Sequence, residues 1–344
     1  MRFRLAGLLG AGAMLLAGSL PVRADSVADF YKGKTITLIV GYTSGGGYDI
    51  YARVLANHMG RHIPGNPTII VQNMSGAGSL KATNYLYNVA LKDGTVFATV
   101  GRGQAMEPLI GTSNTKYDAT KFTWLGSGTD ELSVCALMNT SPVKTWADVT
   151  KKPFTVAGEG SGSDPDTFAK MVKSLFGAKL RLISGYPGGA EMTLAIERGE
   201  VDGRCGWSWT SIKSTRPQWI KDKKLNVLAV LSLKRSEELP DVPSIFELAT
   251  NDHQKQIIKL LVSRQLMGRP FVAPPNLPPD RAAALRKAFM DTMKDPAFVA
   301  EAGKRTMEVD PVSGEDIDKL LKEIYSSPKD IIEETKAIIA SESK

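Results

Sequence analysis

The sequence predicts an α/β protein of two lobes with a ligand cleft between them. Three observations carry this. Strand-like and helix-like segments alternate after Phe30, which is the pattern of parallel βαβ units. The alternation restarts after residues 132–138. Glycine-rich turns stand between strand and helix twice in each half. At 344 residues the chain is long enough for two separate cores.

The elements follow in order. Arg2 and Arg4 precede a small, apolar run over 5–20, and Val22-Arg23-Ala24 has the small residues of a signal-peptidase site. Residues 1–24 therefore read as a cleaved signal peptide, with the mature protein starting at Asp25 in the periplasm. The run is short for a membrane span and holds no cysteine for a lipid anchor. Ile36-Thr37-Leu38-Ile39-Val40 is the first strand. It leads through Thr43-Ser44-Gly45-Gly46-Gly47-Tyr48-Asp49 to a helix over 49–62. A strand over 69–71 leads through Asn73-Met74-Ser75-Gly76-Ala77-Gly78-Ser79 to a helix over 79–90, and a strand over 96–100 precedes Arg102.

The second half repeats the scheme. A strand over 154–157 leads through Gly158-Glu159-Gly160-Ser161-Gly162-Ser163-Asp164 to a helix. There Phe168, Met171, Val172 and Leu175 recur at i, i+3, i+4 and i+7, one buried face. A strand over 180–183 leads through Ser184-Gly185-Tyr186-Pro187-Gly188-Gly189 to a helix ending near Gly199. Strand-like runs over 201–207 and 225–232 follow. A proline-rich stretch over 273–279 then precedes helices from 280 to the end. The expected boundaries are 25–130 for lobe 1, 131–228 for lobe 2, 229–310 for a return to lobe 1, and 311–344 for a helical tail.

Open α/β sheets bind ligands at the carboxyl ends of their strands. Glycine there lets the backbone come close, and a helix N-terminus favours an anion. The two first-half turns thus predict a pocket for a small anion, most simply a carboxylate. The N–H groups of 44–47 and 75–79 would hold it. Arg102 is either a bidentate second contact or an exposed turn residue. Asp49 either caps its helix or touches the ligand. Trp207 either stacks on the ligand or packs in the core.

Catalytic patterns are missing. His58 and His62 have the spacing of a helical zinc pair, but Met59 stands where the general-base glutamate belongs. Neither turn ends in the Gly-Lys-Ser/Thr of a phosphate loop. Gly45 and Gly47 fit a dinucleotide fingerprint, but Ile50 occupies its third glycine position. No serine lies in Gly-x-Ser-x-Gly. Glu191 and Glu197 share a helix without sign of sharing a site. Net charge is +7, and three of those positive charges (Arg2, Arg4, Arg23) lie in the leader. What remains is too weakly basic to argue for nucleic acid. A binder is expected, with no cofactor and no metal. Cys135 and Cys205 are the only cysteines. In an exported protein they can pair. Each also lies in a strand-like apolar run, where two buried free thiols fit equally well.

These segments resemble the periplasmic solute-binding receptors of tripartite tricarboxylate transporters, the TctC-like or Bordetella uptake gene family, over most of the mature chain. Residues 45–53, Gly45-Gly46-Gly47-Tyr48-Asp49-Ile50-Tyr51-Ala52-Arg53, match its first glycine-rich turn. Val71-Gln72-Asn73-Met74-Ser75-Gly76-Ala77-Gly78 is similar to its Asn-x-Pro-Gly-Ala-Gly turn, with Ser75 for proline. Asp93-Gly94-Thr95, Gly158-Glu159-Gly160-Ser161, Tyr186-Pro187-Gly188 and Gly199-Glu200-Val201-Asp202 match further motifs. So does the stretch from Ala229 to Ser236 with Leu239-Pro240-Asp241-Val242-Pro243-Ser244. Ala190 replaces a usual proline, Arg102 stands where many members carry small hydroxyl residues, and 246–270 matches poorly.

The resemblance implies a type II periplasmic-binding fold. It implies first-domain turns that hold a ligand carboxylate through backbone groups and water, and second-domain loops that close over the rest. The candidate contacts are Tyr42, Thr43, Ser44, Gly45, Gly46, Tyr48 and Asp49 in the first turn, and Ser75, Gly76, Ala77, Gly78 and Ser79 in the second. Arg102, Gly103 and Gln104 follow β-strand 96–100; Gly160, Ser161, Ser163, Asp164, Pro187, Gly188 and Trp207 belong to the second lobe. The implied role is a monomeric receptor delivering a small organic carboxylate to membrane permease subunits. The alternatives are a sensor or scavenger of the same fold without a transporter, and an enzyme on a binding-protein fold.

Overall fold

The computed structural model describes residues 26–111 and 114–341; the expected signal peptide lies outside them. In chain order the strands are β1 (Thr35–Val40), β2 (Thr68–Asn73), β3 (Val96–Thr99), β4 (Thr123–Ser127), β5 (Ser133–Met138), β6 (Phe154–Ala157), β7 (Leu180–Ile183), β8 (Gly203–Ser208), β9 (Leu225–Val230), β10 (Pro270–Ala273) and β11 (Val312–Ser313). They form two sheets. The first has the order β11-β4-β10-β3-β1-β2 and the second β7-β6-β8-β5-β9.

Each lobe keeps the expected parallel core. β1 pairs in parallel with β2 and β3, and β6 pairs in parallel with β7 and β8. Strands that cross between lobes run the other way. β5 is antiparallel to β8 and β9, and β10 is antiparallel to β3 and β4. The chain crosses once between β4 and β5, and again between β9 and β10.

Two expected boundaries are corrected. β9 belongs to the second sheet up to Val230, so position 229 falls inside a strand. The chain rejoins the first sheet only at Pro270. The poorly matching stretch before it holds the helix Asp252–Val262. The tail after 311 is not purely helical either, because Val312 and Ser313 pair with Ser127 and Gly126 at the edge of the first sheet.

Helix patterns carry through to packing. In the helix Asp164–Phe176, Phe168, Met171 and Val172 are buried and Leu175 packs half-buried against them. Full burial of Phe168, Met171 or Val172 is worth about 1.5–3 kcal/mol each. Ser163 caps the helix by accepting from the Asp166 N–H, and Gly177 ends it at φ +64, a conformation suited to glycine. Helix Gly47–Met59 buries Tyr51, Val54, Leu55 and Met59 against the first sheet. His58 and His62 pair with Glu301 and Asp295, and His58 is buried. Cys135 and Cys205 are register partners on β5 and β8, and their sulfurs are joined. Among the described residues no helix is long and apolar enough to cross a membrane.

Candidate functional site

The site starts where β1 ends. The chain turns through Gly45 at φ +84, and the Gly45 N–H donates to Asp49 Oδ2 at 2.9 Å. Arg53 donates to both Asp49 oxygens and Asn73 to one, each at 2.9 Å. Burial raises the Asp49 pKa, but the bonds from Arg53, Gly45 and Asn73 outweigh it and hold the carboxyl below its usual range. Asp49 therefore shapes the turn, and its oxygens are taken.

Beyond this turn two helix N-termini meet, one from each lobe. Helix Gly47–Met59 has Gly46 as N-cap and helix Gly189–Glu197 has Gly188, and neither N-cap has a side-chain hydrogen bond. A Cβ on Gly46 would lie 3.8 Å from the Gly189 nitrogen and 3.9 Å from that of Ala190. Uncapped N–H groups and two helix dipoles thus converge on one spot, which favours an anion there. Beside it Thr43 Oγ1 donates to Glu191 Oε2 across the lobes at 2.7 Å. Gly188 is needed for that approach, since a Cβ would stand 2.4 Å from Thr43 Oγ1.

A cavity of about 220 Å³ opens between these ends. Of the expected residues it gathers Tyr42, Gly45, Gly46, Tyr48, Arg102, Asp164 and Trp207. It also gathers residues that sequence reading missed: Glu159, Gly189, Arg204, Ser208, Ser211 and Arg269. The signal that could have found Arg204 is an arginine set among Gly203, Cys205, Gly206 and Trp207.

The cavity wall is heavily charged. Arg102 is buried at the cavity rather than an exposed turn residue, and its guanidinium is braced by the protein. Its Nε donates to Asp164 Oδ2 at 2.5 Å, Nη1 to Gly268 O at 2.9 Å and Nη2 to Ser133 Oγ at 2.9 Å. Arg269 pairs with Glu131 at 2.8 Å and donates to Ser208 Oγ at 2.7 Å. Trp207 lies edge to face with Trp219, centroids 6.0 Å apart, and carries the Arg204 guanidinium over its ring at 5.2 Å. Burial is the main force on Glu159 and pushes its carboxyl up to about 7.

The second glycine-rich turn lies outside this cavity. Ala77, Gly78 and Ser79 all have positive φ, and the Gly78 N–H donates to Glu159 O at 2.9 Å while the Ser79 N–H donates to Gly76 O at 3.1 Å. Gln104 Nε2 donates to Gly78 O at 2.8 Å. A Cβ on Gly103 would stand 1.8 Å from Gly162 O, and Ser161 Oγ bonds Glu107 at 2.5 Å. The turn 75–79, with Gly103, Gln104, Gly160 and Ser161, thus forms a seam between the lobes. The Gly78 and Ser79 N–H groups are already bonded within the protein, so the expectation that they hold the carboxylate is corrected for these two. Ser163 is a helix cap. Ser44 is exposed and Ser44, Ser75 and Pro187 do not line the cavity.

Residues 51–337 match the model of the tripartite tricarboxylate transporter family receptor, TctC. The chain belongs to this family. Family members are solute-binding receptors, so the resemblance read from the glycine-rich turns holds. The chain is 27% identical over 338 residues, 95% of each chain, to a Cupriavidus necator protein named "UPF0065 protein in gbd 5'region". Its fold is similar to that of the periplasmic binding protein BugD, with TM-score 0.71 and 23% identity over 90% of this chain and 98% of that one. It is also similar to the R. palustris protein Rpa4515 solved with adipate, with TM-score 0.69 and 19% identity over 88% of this chain and 97% of that one. The two-lobe periplasmic-binding architecture is therefore shown.

Proposed function

We propose that the chain is an exported receptor that captures a small organic carboxylate between its lobes and presents it to membrane permease subunits. The observation that carries this reading is the meeting of two uncapped helix N-termini, one per lobe, at a cavity lined by arginines. A carboxylate there bonds both lobes at once and favours their closure. The adipate in the R. palustris relative supports an aliphatic acid as the class. A role without catalysis fits the family, and Asp164 on the cavity wall is braced by Arg102. Delivery to a permease rests on family membership.

A thermal-shift panel of succinate, glutarate, adipate, malate and benzoate, each with its amide as control, tests the reading. Binding to the folded form raises the melting temperature by mass action. The expected outcome is a rise with at least one acid and none with its amide. Equal shifts with acid and amide would sink the carboxylate assignment.

A further inference from the structure

Four arginines line the cavity: Arg102, Arg204, Arg216 and Arg269. Three donate to protein acceptors. Arg102 bonds Asp164 and Gly268 O, Arg216 bonds Glu197 and Thr215 O, and Arg269 bonds Ser208 and Ser211. Arg204 differs. Its side chain is 8% exposed, and its nearest carboxylate oxygen, Glu159 Oε1, lies 3.9 Å from Nη2, beyond hydrogen-bond reach. Its Nε, like that of Arg269, is buried without a partner. Its Nη1 stands 3.7 Å from where a Cβ on Gly189 would be, beside the uncapped start of the nine-residue helix Gly189–Glu197. Burying a cation is costly unless it is paired and hydrogen-bonded. Here the pairing is incomplete, and the residue lines the cavity.

We propose that Arg204 is the fixed cationic contact of the second lobe, donating to the ligand's carboxylate, with Glu159 as the resident counter-ion that the ligand displaces. This rests on the carboxylate reading above. The Glu159 carboxyl is faced by Arg204 on β8, Arg102 after β3, Asp164 and Asp166 on the helix Asp164–Phe176, and Tyr42 after β1. A protonated Glu159 leaves Arg204 to the ligand. An ionised Glu159 competes for the guanidinium and repels the incoming anion. Carboxylate affinity therefore falls as pH rises through about 7.

Calorimetric titration of the whole chain with succinate, glutarate, adipate and malate tests this. Arg204→Gln should weaken the acids that bind by roughly 10- to 100-fold, with Arg204→Lys in between. Glu159→Gln should tighten binding at about pH 8 and flatten the wild-type decline between about pH 6 and about pH 8. A folded Arg204→Gln protein that binds like wild type overturns the inference. Should that variant not fold, a Glu159→Gln protein with wild-type affinity and pH profile overturns it instead. If none of the four acids binds wild type, the carboxylate function fails and the inference with it; if they bind and both variants behave as wild type, the inference alone fails.

Discussion

At Gly46 the backbone is ordinary, φ −86° and ψ 170°, so the chain can accept a side chain that the ligand cannot. A Cβ there makes normal van der Waals contact with the Gly189 and Ala190 nitrogens, and a valine would fill the gap between the two helix N-termini. Gly46→Val should abolish the carboxylate-dependent rise in melting temperature. The unliganded protein should lose only about 0.5–1 kcal/mol from the weaker N-cap. A full ligand-dependent rise in this variant would place the anion elsewhere. Gly76 is a poorer choice, because its φ of +140° strains any side chain and it lies outside the cavity. Glu159 gives a second residue-scale outcome. Its folded pKa is raised to about 7 from the usual 4.5, so between those values the folded protein holds a proton that the unfolded chain has lost. The stability this confers is complete below about pH 4.5 and is lost as pH rises to about 7. Denaturation curves of wild type minus Glu159→Gln should show that descending limb; a difference that is flat with pH would refute it. At this scale the sequence showed the glycines but not Arg204. A glycine-rich turn is a local pattern, whereas an arginine in Gly203–Ser208 looks like a surface residue until β8 is placed between β6 and β5.

Among the elements, the C-terminal helix Lys329–Ala340 has the least expected role. Sequence periodicity predicted helices to the end of the chain but gave them no docking partner, because partners are chosen by faces far away in sequence. The helix packs on Glu107–Ile110, on Asp164–Phe176 and on Asp252–Val262, and Lys170 Nζ donates to Ile339 O at 2.6 Å. It thus ties an element of the first lobe to an element of the second. Ile331, Ile338 and Ile339 are its buried apolar side chains, and they belong to a core that runs through both lobes. Ile331, 2% exposed, is enclosed enough that its loss leaves a cavity. Ile331→Ala should destabilise the fold by about 2–4 kcal/mol, read from urea denaturation. A change below about 0.5 kcal/mol, the usual range for surface substitutions, would mean that the helix does not brace the molecule. Strands were easier to read than helix partners. β1, β2, β3, β6 and β7 stand in apolar runs ended by glycine turns. The reversed direction of β5 and β10 was not legible, since it follows from the chain's crossing between lobes.

Across the whole molecule, two lobes were legible from the restart of the alternation, but the seam between them was not. It is made by single side chains distant in sequence: Thr43 with Glu191, Arg102 with Asp164, and Lys213 and Thr210 with Glu308. A ligand held between the two helix N-termini leaves only when the lobes separate, so bonds across the seam act on release more than on capture. The Thr43–Glu191 bond lies nearest the anion position and is the cleanest to remove. Thr43→Val keeps the side-chain shape and leaves the Glu191 charge in place, while deleting the donor. A typical hydrogen bond contributes about 1 kcal/mol, so carboxylate dissociation should quicken by about 5-fold with association nearly unchanged. Trp207 lines the cavity and supplies the fluorescence signal for stopped-flow measurement. An unchanged dissociation rate would show that this contact does not hold the lobes together. Slower association with unchanged dissociation would put it on the route in instead, and would shift the latch to Arg102 and Asp164.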